Sequence, residues 1–273
     1  MIRELKKVPL YVLAILFLIF TGFPYLYMVM ISFKSQSDFF QNPFSFWTSF
    51  TFENYVRVLQ MDIPRYFLNS VIVSVISVFG VVILAAMASY PFSRMKFRLN
   101  RPLFFLFLAG MMIPVHTTLI PLYVLVRQWG LYDTLWALIG PYIAFSLPVS
   151  IFILTQFMQE IPRELEDAAR IDGCSHFRMF WKIHFPLSTP AIATVAIYNF
   201  IQIWNEFVFV LVLTSSPENK TLPLGLRDFF GEFSVNVPGI MAALVLGTLP
   251  LLVAYFISQE KVVKGLAAGA VKG

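Results

Sequence analysis

The residues best suited to do chemistry in this 273-residue sequence form a charged segment at 162–186. Together with the preceding Glu160, the segment holds five of the fifteen acids and four of the twenty Lys and Arg residues of an otherwise apolar chain. These residues are Glu160, Glu164, Glu166, Asp167 and Asp172, with Arg163, Arg170, Arg178 and Lys182. Charges gathered between two long apolar runs are suited to contact with another protein.

The first half of this segment predicts a short helix. Pro162 fits the first helical turn, and the acids at 164–167 follow where negative charge favours the helix dipole. Gly173 is a natural helix stop. Ala168 and Ala169 have small side chains that would let another protein approach the helix backbone closely.

The second half predicts another helix. Ser175 can cap a helix over 176–185, which Pro186 would end. Aromatic side chains in this helix could lie along a membrane or against neighbouring helices. The alternative interpretation of both helices is a solvated turn between membrane spans.

A second polar group lies in the apolar run 188–213, where Glu206 is the only acid deep in an apolar run. Asn199, Gln202 and Glu206 fall at helical spacings of three and four, with Asn205 at the edge of that face. Three interpretations stay open for these residues. They could line a translocation path, bond to a second membrane subunit, or satisfy polar groups within this chain.

Known enzyme and metal motifs are absent from the sequence. It has no His-Glu-x-x-His, no Gly-x-Ser-x-Gly and no glycine-rich phosphate loop, so no catalytic residue is predicted and the chain cannot hydrolyse ATP alone. His176 and His184 lack a supporting carboxylate arrangement, and we expect no metal site. Cys174 is the only cysteine, which excludes an internal disulfide.

Composition defines the elements that must position these groups. Hydrophobic residues make up 58% of the chain and charged residues 13%, which is typical of a polytopic membrane protein. Six apolar runs are long enough to cross a bilayer as helices. They are 8–32, 68–91, 103–126, 134–157, 188–213 and 238–258. Pro114 and Pro121 should kink the third helix.

The distribution of Lys and Arg predicts the orientation of the spans. Fourteen of the twenty fall in the N-terminal segment, the segments 92–102 and 158–187, and the tail 259–273. The positive-inside rule therefore makes both termini and the charged segment cytoplasmic, and the loop 214–237 extracytoplasmic. The basic residues follow this pattern, so we expect no nucleic-acid partner. A loop as long as 214–237 is either functional or a solvated connector.

The sequence Glu166-Asp-Ala-Ala-Arg-Ile-Asp-Gly173, followed by Ile183 and Pro186, resembles the EAA signature of permease subunits of ABC importers. Asp167 departs from the family pattern, which usually has Glu there. Other stretches resemble the carbohydrate branch of that family, which includes the smaller maltose permease subunit. They are Phe67-Leu-Asn-Ser70, Ile120-Pro-Leu-Tyr123, Trp204-Asn-Glu-Phe207, Thr221-Leu-Pro-Leu-Gly-Leu226 and the tail from Val263 to Gly273.

The resemblance implies an all-α, multi-pass inner-membrane protein of bacteria or archaea, with a type I importer (MetI-like) core. It would pair with a second permease subunit, two ATPase subunits that bind ATP and Mg²⁺, and an extracytoplasmic sugar-binding protein. This chain would bind no cofactor. The ATPase would contact Glu164, Glu166, Asp167, Ala168, Ala169, Asp172 and Gly173.

Two further contact sets follow from the same resemblance. Leu222, Pro223, Leu224 and Gly225 would meet the binding protein. In the tail, Lys264, Gly265, Lys272 and Gly273 would meet the ATPase dimer.

Two other classes of protein agree less well with the sequence. An ion-coupled transporter or channel should carry more intramembrane charges than Glu206 alone, and an inverted repeat is not visible. A membrane-embedded enzyme should carry one of the missing motifs.

Overall fold

The structure is a computed structural model that describes residues 7–45, 50–232 and 236–270, and its regular elements there are all helical. The α-helices are α1 (Val8–Ser32), α2 (Gln36–Gln41), α3 (Glu53–Leu59), α4 (Ile63–Arg94), α5 (Asn100–Ala109), α6 (Leu119–Gln128), α7 (Trp136–Glu160), α8 (Glu164–Ile171), α9 (His176–Met179), α10 (Phe185–Leu187), α11 (Thr189–Trp204), α12 (Val208–Leu213), α13 (Leu222–Glu232) and α14 (Val237–Ala270). Short 3₁₀ turns cover Gly110–Met112, Val115–Thr118 and Pro217–Asn219, and a π-helical turn covers Phe180–His184.

Four helices in the described ranges are long and apolar enough to cross a membrane: α1, α4, α7 and the Val237–Ile257 part of α14. A fifth candidate is a bent pair, Asn100–Met112 and Val115–Gln128, whose halves meet at 92°. Pro114 lies at the bend in an extended conformation, so the interruption predicted at Pro114 is confirmed. The kink predicted at Pro121 is wrong, because this proline lies within α6 and does not interrupt it.

The fifth apolar run differs from the continuous helix that we expected over 188–213. Helix α11 ends at Trp204, and α12 begins at Val208. Glu206 lies in the break, where its Oε1 accepts hydrogen bonds from the backbone N–H groups of Val208 and Phe209 at 2.7 and 2.9 Å. The carboxylate thus replaces the carbonyl partners that a continuous helix would have supplied.

Contacts divide the chain into two units, and the first contains the residues up to Arg65 with Gly225–Leu249. Within it, α1 buries only Ile31 and Ser32, near its C-terminal end. The side chain of Asn54 in α3 donates to the carbonyls of Ser32 and Lys34 at 2.9 and 2.8 Å, which fixes α3 against that end.

The second unit contains Tyr66–Leu224 and the chain from Pro250 onward. Its core lies between α4, α7 and α11, where Ala85, Leu154 and Val195 are fully buried. Gly80 lets α4 approach α7 closely, because a Cβ there would come within 2.7 Å of the Ile143 side chain. Close packing of this kind fixes helix ends in space.

The charged segment folds as two short helical pieces, as expected, with two differences. Pro162 lies outside the first helix, which begins at Glu164. Pro186 does not end the second piece. Helical structure continues from α9 through the π-helical turn and into α10, whose first turn accommodates the proline.

Candidate functional site

Helix α8 presents two different faces, and the seven predicted coupling residues divide between them. Glu164, Asp167, Ala168, Asp172 and Gly173 are exposed, whereas Glu166 and Ala169 are buried. Positions three apart lie on the same side of a helix, so Glu166 and Ala169 share the face that packs on the protein. We name the exposed set at 164, 167, 168, 172 and 173 the docking face.

Glu166 is the centre of a buried ionic cluster. Its Oε1 lies 3.2 Å from Nε of Arg94, at the end of α4, and 3.1 Å from Nε2 of His184. The Arg94 guanidinium also donates to the carbonyl oxygens of Met158 and Ile161, at the end of α7. The cluster therefore ties α8 to the ends of two long helices and to the π-helical turn.

His184 is the third member of this cluster, and its imidazole is uncharged at neutral pH. Burial lowers the pKa of His184, the neighbouring Glu166 carboxylate raises it, and the Arg94 guanidinium lowers it, with a net lowering. At neutral pH the imidazole is therefore uncharged, and Arg94 is the principal counter-charge of Glu166. Neither Arg94 nor His184 was predicted from the sequence. Arg94 is 72 residues from Glu166, and the contact of His184 with Glu166 depends on the π-helical turn.

The exposed side of α8 is suited to a protein partner. Asp167 has no side-chain ion pair within the described residues, and Ile171 beside it is 87% exposed, which is unusual for a large apolar side chain. A cleft of 730 Å³ opens next to the helix and is lined by Lys96, Arg163 and Asp167 among others. Sequence reasoning omitted Ile171, although its place next to the motif could have indicated it.

The turn after α8 has the conformation that its residues predict. Gly173 has a φ of +72°, which is in the left-handed region, and a Cβ at this position would meet nothing within 4 Å. The Ser175 hydroxyl accepts from the backbone N–H of Arg178 at 3.4 Å and caps α9. The predicted helix stop and cap are confirmed.

The polar residues of the fifth apolar run meet at a cleft of 380 Å³ in the second unit. Asn199, Gln202 and Glu206 line it together with Tyr142 and Tyr198, whereas Asn205 is absent from its lining. Asn205 is exposed and donates to the carbonyl of Ile201 at 2.8 Å. Three of the four predicted residues therefore share one surface.

Hydrogen bonds within the chain satisfy much of this group. The buried Asn199 amide donates to the Ser150 hydroxyl of α7 at 2.9 Å, and the Tyr142 hydroxyl donates to Oε2 of Glu206 at 2.7 Å. Gln202 is exposed to the cleft and donates to the Tyr198 hydroxyl at 3.3 Å. Of the three interpretations, satisfaction within this chain describes Asn199 best, whereas Gln202 is the most accessible to a solute.

Three side chains of the second unit, Asn69, Ser70 and Asp133, bind the loop that follows α12. The Asn69 amide donates to the carbonyls of Glu218 and Lys220 at 2.8 Å each, and the Ser70 hydroxyl accepts from the N–H of Leu222 at 2.8 Å. The motif stretches 67–70 and 221–226 thus contact each other.

Asp133, before α7, provides the third attachment. It has a φ of 58° and accepts hydrogen bonds from the backbone N–H groups of Ser215 and Ser216 at 2.9 and 3.0 Å. Burial raises the pKa of Asp133, but the bonds from Ser215, Ser216 and Asn219 outweigh burial and lower it to about 2.

The four residues predicted to meet a binding protein begin helix α13. Leu222, Leu224 and Gly225 are buried, and Pro223 is half-buried in the first turn of the helix. Pro223 and Gly225 belong to residue types that often break helices, but both are helical here. Arg227, one turn further on, is exposed.

The tail residues are described only in part. Lys264 and Gly265 belong to α14, which runs from Val237 to Ala270. Lys272 and Gly273 lie outside the described residues.

A helical membrane protein with an exposed, charged motif fixed at the ends of its long helices has the features of a transporter subunit. Residues 82–267 match the family described as "Binding-protein-dependent transport system inner membrane component". The match covers more than half of the chain, and the chain belongs to this family. It is a multi-pass permease of the inner membrane and not itself an ATPase.

Two relatives match this chain over nearly their whole length. A protein of Caldicellulosiruptor sp. (strain Rt8B.4) that carries the name of an ABC transporter permease protein, ORF2, is 52% identical over 100% of this chain and 99% of its own. The trehalose/maltose transport system permease protein MalG of Thermococcus litoralis is 36% identical over 98% of each chain.

Solved structures share the fold. A chain of a bacterial ABC transporter involved in the import of the acidic polysaccharide alginate superposes with a TM-score of 0.82 at 23% identity, over 94% of this chain and 96% of that one. The inward-facing MetNI methionine ABC transporter gives a TM-score of 0.60 at 16% identity, over 78% of this chain and 98% of that one. The fold is therefore the MetI-like permease fold, and the family functions in an ABC transporter complex with a binding protein.

Proposed function

We propose that this chain is one of two membrane subunits of an ATP-driven importer, and that a binding protein delivers a carbohydrate to it. The observation that carries the proposal is the division of α8 into an exposed docking face and a buried Glu166 that is bound to Arg94. A helix that transmits motion needs one face for the partner and a rigid attachment on the other.

In this mechanism the ATPase contacts Glu164, Asp167, Ala168, Asp172 and Gly173, while Glu166 and Ala169 hold the helix in place. Displacement of α8 by the closing ATPase reaches the ends of α4 and α7 through Arg94. Because this path consists of short, buried contacts, the motion is carried by packed helices.

The proposed topology has six spans, with both termini in the cytoplasm. The bent pair Asn100–Met112 and Val115–Gln128 counts as the third span, and α11 with α12 as the fifth. Both broken spans include lining residues of the 380 Å³ cleft, which agrees with the rule that irregular backbone at membrane depth lines a cavity or is buried in protein.

The remaining assignments follow from this topology. A second, different permease subunit and two ATPase subunits complete the transporter, and ATP and Mg²⁺ bind to the ATPases. Gln202 and Glu206 line the solute path, and Asn199 supports it from behind. The loop 214–237 meets the binding protein, and the end of the chain, with Lys264, meets the ATPases.

A carbohydrate is proposed as the solute because the named relatives include trehalose/maltose and diacetylchitobiose permeases with 36% and 33% identity. The cleft itself agrees with this class. Aromatic side chains at Tyr142, Phe145 and Tyr198 lie beside amide and carboxylate groups there, and a sugar offers both apolar faces and hydroxyls.

The test is reconstitution of the co-purified transporter in vesicles with its binding protein and a panel of sugars. We expect one sugar class to stimulate ATP hydrolysis and to enter the vesicles only when ATP is inside the compartment that holds the ATPase. A matched complex with an inactive ATPase controls for leakage.

Two results would contradict the proposal. The first is uptake that a protonophore abolishes while ATP stays high, which would indicate an ion-coupled transporter. The second is ATP hydrolysis that no sugar alters in the presence of the binding protein.

A further inference from the structure

A third cleft in the same unit lies at the loop between α4 and α5. It shares Lys96 with the 730 Å³ cleft beside α8 and no lining residue with the 380 Å³ cleft. Its volume is 870 Å³, and its lining includes Phe92, Lys96, Arg98, Arg101 and Thr155. The loop begins directly after Arg94, which contacts Glu166 of α8. The cleft is therefore on the same side of the second unit as α8.

The charge of this cleft has one sign. Lys96, Arg98 and Arg101 are exposed, and the lining contains no Asp or Glu. In the part of the chain that the structure describes, none of the three cations has an ion pair or a side-chain hydrogen bond. Three unpaired cations around a concave surface favour an anionic ligand.

The floor of the cleft supplies an unused polar group. Thr155 of α7 is 1% exposed, and its hydroxyl has no hydrogen-bond partner among the described residues. A buried hydroxyl without a partner is costly, so a ligand oxygen at this position would be favourable.

Apart from Asn100 and Gln159, the remaining lining of the cleft is apolar. Phe92 and Phe104 pack edge to face at 5.6 Å within the lining. On α5, the helix that carries Phe104, the side chains of Phe105 and Leu106 are 64% and 67% exposed. A ligand in the cleft would thus have cations at one end and a strip of apolar helix at the other.

We propose that this cleft binds an anionic phospholipid. Its phosphate would lie among Lys96, Arg98 and Arg101, with Thr155 as a further donor, and its acyl chains would follow the exposed apolar side of α5. A soluble nucleotide or phosphate would use the cations but would leave the apolar strip uncovered. A lipid of the inner leaflet matches both parts.

Each cation close to an anionic lipid contributes enough to change affinity by roughly fivefold. We therefore expect Arg98→Gln to weaken binding about fivefold, and replacement of all three cations by Gln to weaken it on the order of a hundredfold. The exposed positions of these cations mean that the single variant should fold normally.

The experiment is native mass spectrometry of the purified transporter complex after titration with phosphatidylglycerol or phosphatidylcholine. We expect the complex to retain phosphatidylglycerol preferentially, Arg98→Gln to reduce that preference about fivefold, and Arg98→Lys to keep it. Arg127→Gln is the matched control, because Arg127 is an exposed cation away from the cleft. Thr155→Val should reduce retention without changing the shape of the floor.

Three results would overturn the proposal. Equal retention of phosphatidylglycerol by the wild type and the triple variant would show that the cleft is not the site. Glycerol phosphate that binds as tightly as the intact lipid would indicate a free phosphate ligand. Arg98→Gln that releases the ATPase subunits but keeps the lipid would show that the loop is a protein contact.

Discussion

Glu166 and Asp167 are neighbouring acids with opposite environments, and removing each charge separately tests the two-faced role of α8. Glu166 is 5% exposed and contacts Arg94, whereas Asp167 is exposed and has no ion pair within the described residues. The informative pair of variants is Glu166→Gln and Asp167→Asn. Each removes one negative charge and keeps the size of the side chain.

The structure gives different magnitudes for the two changes. Breaking a buried ion pair by removing one partner costs about 3–5 kcal/mol. The Arg94 side chain is 2% exposed, but it keeps two carbonyl acceptors, so we expect the low end of this range. A surface change such as Asp167→Asn should stay within about 0.5 kcal/mol.

Thermal unfolding of the purified permease complex is the first assay. At the scale of soluble domains of 150–250 residues, about 3 kcal/mol corresponds to a Tm lower by roughly 6–12 °C. We therefore expect this loss for Glu166→Gln and an unchanged Tm for Asp167→Asn. Co-purification of the ATPase subunits is the second assay, and there Asp167→Asn should show the larger defect at a temperature where both variants are folded.

An unchanged Tm for Glu166→Gln would contradict the buried role of Glu166, since a buried Arg94 without its counter-charge must destabilise the fold. Equal losses of Tm in both variants would also contradict it. A further control is the double variant Glu166→Met with Arg94→Met. It should lose less stability than the two single changes together, because no unpaired charge stays buried.

Three further predictions follow from the turn, the cleft and the outer loop. Gly173→Val should lower transport per ATP hydrolysed, because the positive φ at position 173 costs a β-branched residue about 1–2 kcal/mol. Gly173→Asn should have a milder effect. Vesicle assays of the transport rate and of the ATP hydrolysis rate check this. Glu206→Gln should lower transport more than assembly, because the carboxylate lines the cleft and accepts a hydrogen bond from Tyr142. An unchanged transport rate with intact assembly would remove Glu206 from the mechanism. The Asp133 attachment should stabilise the loop above about pH 4 and lose its contribution as the pH falls toward 2, because the folded pKa lies below the ordinary value. Discounted for solvent exposure, this contribution to stability is about 1 kcal/mol. The measurement is hydrogen exchange at Ser215, which should lack this pH dependence in Asp133→Asn, since Asn tolerates the same φ.

The long helices could be predicted because continuous apolar runs carry their own signal. Pro114 also marked its break, since proline interrupts a helix by a local mechanism. No proline or other helix-breaking residue in the sequence indicates the break at Glu206. A glutamate is a good helix former, and only the arrangement of its carboxylate on the N–H groups of Val208 and Phe209 reveals the interruption.

The candidate site was predictable as a motif but not in its orientation. The sequence places Glu166 and Asp167 side by side, and nothing local decides which one faces inward. The inward position of Glu166 depends on Arg94, which is remote in sequence, and on His184. His184 lies in a π-helical turn that the residues around Pro186 do not predict. Similarly, the contact of Asn69 with the carbonyls of Glu218 and Lys220 joins segments about 150 residues apart.

The position of Arg94 has a consequence for how the chain is made. Its carbonyl acceptors, Met158 and Ile161, follow it by 64 and 67 residues. At about 5–20 residues per second, a ribosome supplies them roughly 3 to 13 s after Arg94. Until then the guanidinium is a hydrated cation that, in the proposed orientation, retains the end of α4 on the cytoplasmic side. In that proposed orientation, the same residue first helps to set the direction of insertion during synthesis and is later withdrawn from water to join the finished helices.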